Sequence, residues 1–242
     1  MGGPSRRNYL RRRESKHGGL ITLENAFGLK IPRGLEDVCR PEQMALLVYD
    51  MQVGIVSQIP NGAQVVGRVV QVLRAAREGG FRVFFTRHMS LPKEVAGITQ
   101  LRTALAWQHV TRVEDIKPWF LRDSPGFGLV PELAPLPSEA ILDKITMSAF
   151  AGTPLDIAMR DCGLISFAIA GIALEVGIAP TVYHATDLSY IPVVIADACG
   201  FRDQAEADRA LASFRFAGNS LETDVQTICR LFQSQARSRG AP

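Results

Sequence analysis

Two charged side chains follow apolar runs in this chain and have the types needed for proton chemistry. Asp50 comes directly after the apolar run 44–49, Lys144 lies shortly after another such run, and the segment 171–177 follows a third. If the runs are parallel strands, their carboxyl ends lie at one edge of a sheet, where such folds bind ligands. A carboxylate among apolar neighbours needs a partner, and an ammonium provides one. Taken separately, Asp50 could cap a helix and Lys144 could be an ordinary loop charge.

The elements that would position these residues alternate along the chain. Apolar, β-branched runs are separated by helical patterns, which is typical of β-α-β units in an α/β fold with a parallel sheet. The predicted strands are residues 44–49, 81–86, 140–142, 165–170 and 193–196. The predicted helices are residues 64–77, 154–161, 175–188, 204–214 and 221–232, the first with Asn61 as its N-cap and Gly79-Gly80 at its end. The proline-rich stretch 91–136 predicts a long excursion that walls a crevice.

Length and composition predict one globular domain. The chain has 242 residues, of which 47% are apolar and 21% charged, enough to bury a large core. We expect a domain over residues 41–242. A basic N-terminal extension, residues 1–40, precedes it and is either partly disordered or packed on a partner subunit. Residues 1–18 hold five excess positive charges, so the rest of the chain carries about −2. Such a segment is either a solvated terminus or a contact for an acidic partner.

Several classes of function find no support in the composition. No apolar run approaches the roughly 20 residues that cross a bilayer, and the first residues do not follow the order of a signal peptide, so we expect a cytoplasmic protein without membrane contact. No aromatic-rich basic surface follows the basic segment, which disfavours a nucleic-acid partner. The four cysteines form no C-x-x-C pair and the four histidines no H-E-x-x-H motif, so neither a metal site, a disulfide framework nor a cofactor is predicted.

Six segments, taken in order, match a known family. They are residues 45–52 (ALLVYDMQ), 84–87 (FFTR), 131–135 (PELAP), 144–150 (KITMSAF), 171–177 (GIALEVG) and 195–199 (IADAC). With them the chain resembles the isochorismatase-like superfamily, which includes nicotinamidases, N-carbamoylsarcosine amidases, biuret hydrolases and isochorismatases. The resemblance implies a three-layer α/β/α fold around a Rossmann-like, mostly parallel six-stranded sheet. It also implies a homo-oligomer, either a dimer or a tetramer.

The resemblance implies a catalytic triad of Asp, Lys and Cys, and this chain departs from it at one position. Asp50 and Lys144 match, whereas Gly177 stands where the thiol belongs. The isochorismatases are similar in having glycine there, and are thought to hydrolyse an enol ether without a covalent intermediate. Asp50 is then a general acid or base, Lys144 its electrostatic partner, and Gly177 leaves room for a water or a bulkier substrate. By itself, Gly177 could simply be a glycine required for packing at a helix start.

The resemblance also implies an oxyanion pocket formed by the amides of Ala173 and Gly177, with a cis peptide between Ile172 and Ala173. The other candidate substrate-binding residues are Gln52, Arg87, His88, Trp119, Phe150 and Glu175. His88 either donates a hydrogen bond to a polar substrate or is an ordinary loop histidine. Glu175 is either a second catalytic acid or a carboxylate in the first turn of a helix. The aromatic residues form either the walls of the pocket or part of the hydrophobic core. Isochorismatases have glutamine near the position of His88, so isochorismate itself is disfavoured. The Asp-x-His metal motif of nicotinamidases is absent at residues 87–90.

The residues and the resemblance together predict a hydrolase. Its substrate would be a small polar organic molecule, an enol ether or an activated amide, attacked by water with help from Asp50 and Lys144. Cys162 and Cys199 are predicted to be inert thiols. The alternative is a member without activity that binds a small ligand or acts as a scaffold.

Overall fold

The computed structural model describes residues 24–239. The basic segment 1–18, on which the predictions of disorder or partner contact depend, lies outside the described residues. Within the described range, residues 24–38 form a short antiparallel pair, β1 (Glu24–Ala26) and β2 (Leu29–Ile31), and the helical turn α1 (Leu35–Val38). Val38 and Cys39 are buried in the main core. The boundary between residues 40 and 41 stays a prediction.

A six-stranded, all-parallel sheet forms the centre of the molecule. Its strands are β3 (Met44–Tyr49), β4 (Arg82–His88), β5 (Ala140–Lys144), β6 (Ser166–Ile172), β7 (Ile191–Gly200) and β8 (Leu221–Thr223). Their order is β5-β4-β3-β6-β7-β8, so β3 and β6 are central. The predicted α/β fold and its six-stranded parallel sheet are confirmed, and each predicted strand overlaps an observed one.

Helices cover both faces of this sheet. They are α2 (Val53–Val56), α3 (Gly62–Glu78), α4 (Ile98–Gln108), α5 (Leu155–Asp161), α6 (Ala179–Asp187), α7 (Gln204–Ala217) and α8 (Val225–Arg239). One core cluster packs the sheet against α3 and α8, and a second packs the opposite face against α5, α6 and α7. Three layers result, because each face of an apolar parallel sheet must be covered.

Three details of the predicted helices were wrong. Residues 221–223 form strand β8, paired with β7, and α8 begins only after Asp224, whose carboxylate accepts from the Thr227 N–H at 2.7 Å. Residues 174–178 form a single π-helical turn, so α6 begins at Ala179. Pro180 therefore falls in the first turn, where its missing N–H costs no helical bond. Asn61 does precede α3, but its side chain makes no capping bond there.

The excursion 91–136 lies between β4 and β5 and contains α4. Unlike α3, helix α4 has no buried residue. Main-chain bonds hold the start of this region: the Met89 N–H donates to the Lys144 carbonyl at the end of β5, and the Ser90 N–H donates to the Phe120 carbonyl within the excursion. The excursion therefore stands over the carboxyl edge of β4 and β5. Across residues 24–239, no helix is both long and apolar enough to cross a membrane.

Candidate active site

Asp50 ends strand β3 in an uncommon backbone conformation. Its φ is +46°, a left-handed value that aspartate tolerates better than most residues. The carboxylate is buried, and each oxygen has a partner: Thr86 Oγ1 donates to Oδ1 at 2.6 Å and Lys144 Nζ donates to Oδ2 at 2.6 Å. The same Thr86 oxygen accepts from the Asp50 N–H at 3.2 Å. The side chain is thus fixed by two neighbouring strands, β4 and β5.

Lys144 is the last residue of β5, and its ammonium is fully enclosed. Besides Asp50, Nζ donates to the Thr146 carbonyl at 3.1 Å and lies 4.3 Å from the centre of the Tyr49 ring. Burial lowers the pKa of Lys144, and the Asp50 carboxylate opposes that shift. The carboxylate–ammonium pair predicted from sequence is therefore present at the carboxyl edge of the sheet.

The space beside Gly177 is filled by Tyr49. A Cβ built on Gly177 would lie 2.6 Å from the Tyr49 ring atoms Cε1 and Cζ and closer still to the hydroxyl. That hydroxyl donates to the Met147 carbonyl. Burial, then the Asp50 carboxylate, raise the pKa of Tyr49 well above its usual value, so the phenol stays protonated. The expectation that Gly177 leaves an open space was wrong, because the neighbouring side chain of β3 occupies it.

The main chain between β6 and α6 is specialised as well. The peptide between Ile172 and Ala173 is cis, as predicted. Gly171 has φ +135°, and a Cβ there would lie 2.8 Å from the Tyr49 carbonyl carbon, so only glycine fits. Of the two amides assigned to an oxyanion pocket, that of Gly177 already donates to the Ala173 carbonyl at 3.0 Å. The Ala173 N–H is the better candidate of the two.

A crevice of about 90 Å³ opens onto these groups. Its lining includes Tyr49, Asp50, Ala173 and Gly177 on the sheet side, and His88, Trp107, Trp119, Phe120 and Met147 on the side of the excursion. Burial lowers the pKa of His88, and the Lys144 ammonium lowers it further. The imidazole is consequently neutral near pH 7 and faces the crevice as an uncharged hydrogen-bonding group.

Four other predicted site residues lie away from this lining. Gln52 is fully buried, and its amide is used by the main chain: Nε2 donates to the His88 and Phe127 carbonyls and Oε1 accepts from the His88 N–H. Arg87 pairs with Asp143 at 2.7 Å.

Phe150 stacks on Tyr190 within the core, at 5.4 Å between ring centres. Glu175 accepts from the Arg202 and Asp203 N–H groups at the start of α7. Each of these two residues has a packing or capping partner in the structure, while Asp50, His88, Trp119, Ala173 and Gly177 come together around the crevice.

Three buried cysteines have environments that suppress thiolate formation, and Cys162 is half-buried. Burial raises the pKa of Cys39 to about 12 and that of Cys229 to about 11, and it raises the pKa of Cys199 further. Within residues 24–239, no three His, Cys, Asp or Glu side chains gather closely enough to hold a metal ion.

Tyr49 and Thr86 contact the central groups of this site but are not among the site residues predicted from sequence. Both lie within predicted apolar strands. A signal for Thr86 existed, because it is a hydroxyl residue in an otherwise apolar strand paired directly with β3. No comparable signal existed for Tyr49, since aromatic residues are common in buried strands.

Known proteins resemble this chain in sequence and in fold. The Isochorismatase domain family matches residues 44–225. The ureidoacrylate amidohydrolase RutB of Cronobacter sakazakii is 27% identical over 219 residues, covering 82% of this chain and 92% of that protein. A cysteine hydrolase from Pseudomonas syringae pv. phaseolicola superposes with a TM-score of 0.69 at 21% identity, over 81% of this chain and 95% of that one. N-carbamoylsarcosine amidase from Thermoplasma acidophilum superposes with a TM-score of 0.60 at 19% identity, over 76% and 96%.

The superpositions place the molecule among three-layer α/β proteins with a parallel central sheet. The matched segment runs from the first strand of that sheet to the start of its last helix. The chain belongs to the isochorismatase family and is a hydrolase.

Proposed function

We propose that the protein hydrolyses a C–N bond of a small amide or ureido compound, with water rather than a thiol as the nucleophile. The observation that carries this proposal is the pairing of Asp50 with Lys144 beside a nucleophile position that Tyr49 fills. The acid–base pair of the family is kept, while the place for a covalent nucleophile is closed.

Asp50 acts as the proton-transfer group. Its carboxylate takes a proton from water as the water oxygen attacks the carbonyl carbon. It then returns that proton to the leaving nitrogen as the C–N bond breaks. The products are an acid, which for a ureido compound is a carbamic acid, and an amine or ammonia. Thr86 and Lys144 hold the two carboxylate oxygens in place at 2.6 Å each, so the group is oriented before substrate binds.

The surroundings supply charge and hydrogen bonds without supplying a nucleophile. The Lys144 ammonium pairs with the Asp50 carboxylate, and we assign the N–H of Ala173, which lines the crevice, to the developing oxyanion. The protonated Tyr49 phenol and the neutral His88 ring line the crevice as uncharged groups. A phenol with a raised pKa is a poor nucleophile, so we assign it no covalent role.

The relatives favour amides over enol ethers as the substrate class. RutB proteins are ureidoacrylate amidohydrolases, and an amidase for N-carbamoylsarcosine shares the fold. A ureido or carbamoyl group is planar and polar, and it suits a crevice of about 90 Å³ whose lining includes the polar residues Asp50, His88 and Arg202.

The test is turnover by the purified full-length chain. Ammonia release is measured with ureidoacrylate, N-carbamoylsarcosine and simple primary amides. Asp50→Asn is expected to lower kcat/KM by about 10²–10⁴-fold, the range for loss of a general acid–base group. Asp143→Asn, an acid one residue from Lys144 that pairs with Arg87 outside the crevice, is the matched control and keeps activity within about threefold.

Two results would contradict the proposal. Turnover of none of these compounds, together with a rise in melting temperature on adding one of them, would indicate a ligand-binding protein without activity. Inactivation by iodoacetamide, with the adduct mapped to a cysteine and prevented by substrate, would indicate a thiol mechanism. The expected result is full activity after alkylation and no acyl adduct in the intact mass.

A further inference from the structure

A second, larger cavity adjoins the crevice. We refer to it as the chamber. It measures about 470 Å³ and lies between the excursion and the loop after β5. Its apolar lining includes Leu91, Leu101, Ala104, Ile116, Pro118 and Ile145. For comparison, a cavity of about 150 Å³ holds a benzene molecule, so the chamber has room for one or two rings.

The chamber borders the catalytic crevice. Five residues line both: His88, Trp107, Trp119, Phe120 and Met147. A ligand with its reacting carbonyl at Asp50 therefore passes the His88 and Phe120 rings, which lie edge to face at 6.0 Å, before it enters the chamber. The crevice alone, at about 90 Å³, holds little more than the hydrolysable group.

Most of the chamber wall is apolar, and two of its longer polar side chains bond to the protein itself. Lys93, a charged side chain in the wall, donates to the Glu114 carbonyl at 2.9 Å. The Gln108 amide both donates to the Lys117 carbonyl and accepts from the Lys117 N–H, each at 2.9 Å. An apolar ligand group gains by leaving water against such a wall, whereas a charged group loses its hydration.

We propose that the chamber binds an uncharged, cyclic apolar substituent of the substrate. The substrates are then amides or ureido compounds with a polar head at Asp50 and a ring system in the chamber. The position of the head rests on the proposed function, but the chemistry of the chamber does not. Trp107 and Trp119 supply aromatic surface where the two cavities join.

Fluorescence reports on chamber occupancy directly, because the chain has two tryptophans and both line the chamber. The probes are acetamide, cyclohexylacetamide and succinamate, which represent the bare head, an apolar ring and a charged group. Binding is measured by tryptophan fluorescence in the Asp50→Asn variant, where turnover is suppressed, and kcat/KM is measured in the wild type. Cyclohexylacetamide is expected to bind at least about tenfold more tightly than acetamide, and succinamate no more tightly than acetamide.

A pair of variants in α4 locates the effect. Ala104 lines the chamber but not the crevice, so Ala104→Phe fills the chamber and is expected to weaken cyclohexylacetamide binding at least about tenfold while leaving acetamide within twofold. Ala106→Phe, exposed on the same helix and outside both linings, changes neither affinity. Cyclohexylacetamide binding within twofold of the unsubstituted value in Ala104→Phe overturns the proposal.

Other outcomes distinguish this proposal from competing explanations. If Ala104→Phe alters the mass measured by analytical ultracentrifugation but not probe affinity, the chamber is an interface between copies of this chain and the proposal is wrong. Selective binding of the ring without ammonia release supports the chamber and contradicts amide hydrolysis. Equal kcat/KM for acetamide and cyclohexylacetamide supports hydrolysis and overturns the chamber.

Discussion

Tyr49 and Gly177 depend on each other. The phenol lies where any side chain at residue 177 would begin, and the Met147 carbonyl and the Lys144 ammonium fix its hydroxyl and its ring face. Gly177 is further tied by Thr181, whose hydroxyl donates to the Gly177 carbonyl at 2.7 Å. A packed interior does not yield space to an added methyl group without strain. In this chain, therefore, packing against Tyr49 requires glycine at residue 177.

A double-mutant cycle tests this dependence. Gly177→Ala is expected to lower the free energy of unfolding by about 1–3 kcal/mol, because its Cβ overlaps the Tyr49 ring. In a Tyr49→Val background the same substitution has almost no cost, since the ring is gone. Urea denaturation measures all four proteins.

The control for backbone effects is Gly67→Ala within α3, where an added Cβ meets nothing within 4 Å. This variant is expected to gain about 0.5–1 kcal/mol, because alanine is the better helix former. An equal Gly177→Ala penalty in both Tyr49 backgrounds would show that the two residues are independent.

At the scale of elements, Gln52 connects the start of α2 to the end of β4. Its amide makes three main-chain bonds, two with His88 and one with Phe127. The Val53 and Gly54 N–H groups add bonds to the Gly128 and Gly126 carbonyls. The loop after β3 is thereby fastened to the excursion, which holds His88 at the crevice. A residue predicted to bind substrate instead positions the elements that do.

Replacement of Gln52 should loosen these elements together. Gln52→Leu keeps the side-chain volume but leaves one N–H and two carbonyls buried without partners, so we expect a loss of about 2–3 kcal/mol. Hydrogen exchange at the His88 amide should accelerate. Gln58→Leu, an exposed glutamine with a single bond to the Gly54 carbonyl, is the control, expected within about 0.5 kcal/mol. Unchanged protection at His88 in Gln52→Leu would contradict the connecting role.

At the scale of the whole molecule, the carboxyl edge of the sheet concentrates the buried ionisable groups. Asp50, Lys144, His88 and the Tyr49 phenol meet there, and the pKa of His88 and of Lys144 is lowered while that of Tyr49 is raised. Elsewhere the described ion pairs are mostly exposed. Exposed ion pairs contribute little to stability. The predicted dimer or tetramer and the cytoplasmic location stay predictions.

The lowered pKa of His88 has a consequence for stability at acid pH. Below pH 6.5 the unfolded chain takes up a proton that the folded chain resists, so the free energy of unfolding falls as the pH drops from 6.5 through the lower folded pKa. The slope from this one group reaches at most about 1.4 kcal/mol per pH unit, and above 6.5 it vanishes.

His88→Gln removes the titrating group and is expected to flatten the dependence in that window. Denaturation midpoints between pH 5 and pH 7.5 measure it, with His109→Asn at an exposed position as the control. If the difference in stability between His88→Gln and wild type does not change with pH across this window, the assignment to His88 is incorrect.

Periodicity and resemblance predicted much of this molecule from its sequence. Continuous apolar runs indicated parallel strands that helices cover on both faces. Asp50 and Lys144, which follow two of these runs, indicated the acid–base pair. The short strand β8 was missed because its three residues precede a strong helical pattern without a break. Gln52, Phe150 and Glu175 have types that suit both a binding site and a packed interior, so their partners could not be chosen from sequence.

The sequence by itself, through its resemblance to the family, predicts that Gly177 stands where the thiol of the triad belongs. Only the tertiary structure decided what that glycine means. Tyr49 is far from Gly177 along the chain, and the two meet because β3 and β6 pair in parallel and the chain after β6 turns back over the sheet. Whether a missing side chain leaves a cavity or a filled space depends on such contacts between distant segments, and a linear pattern does not contain them.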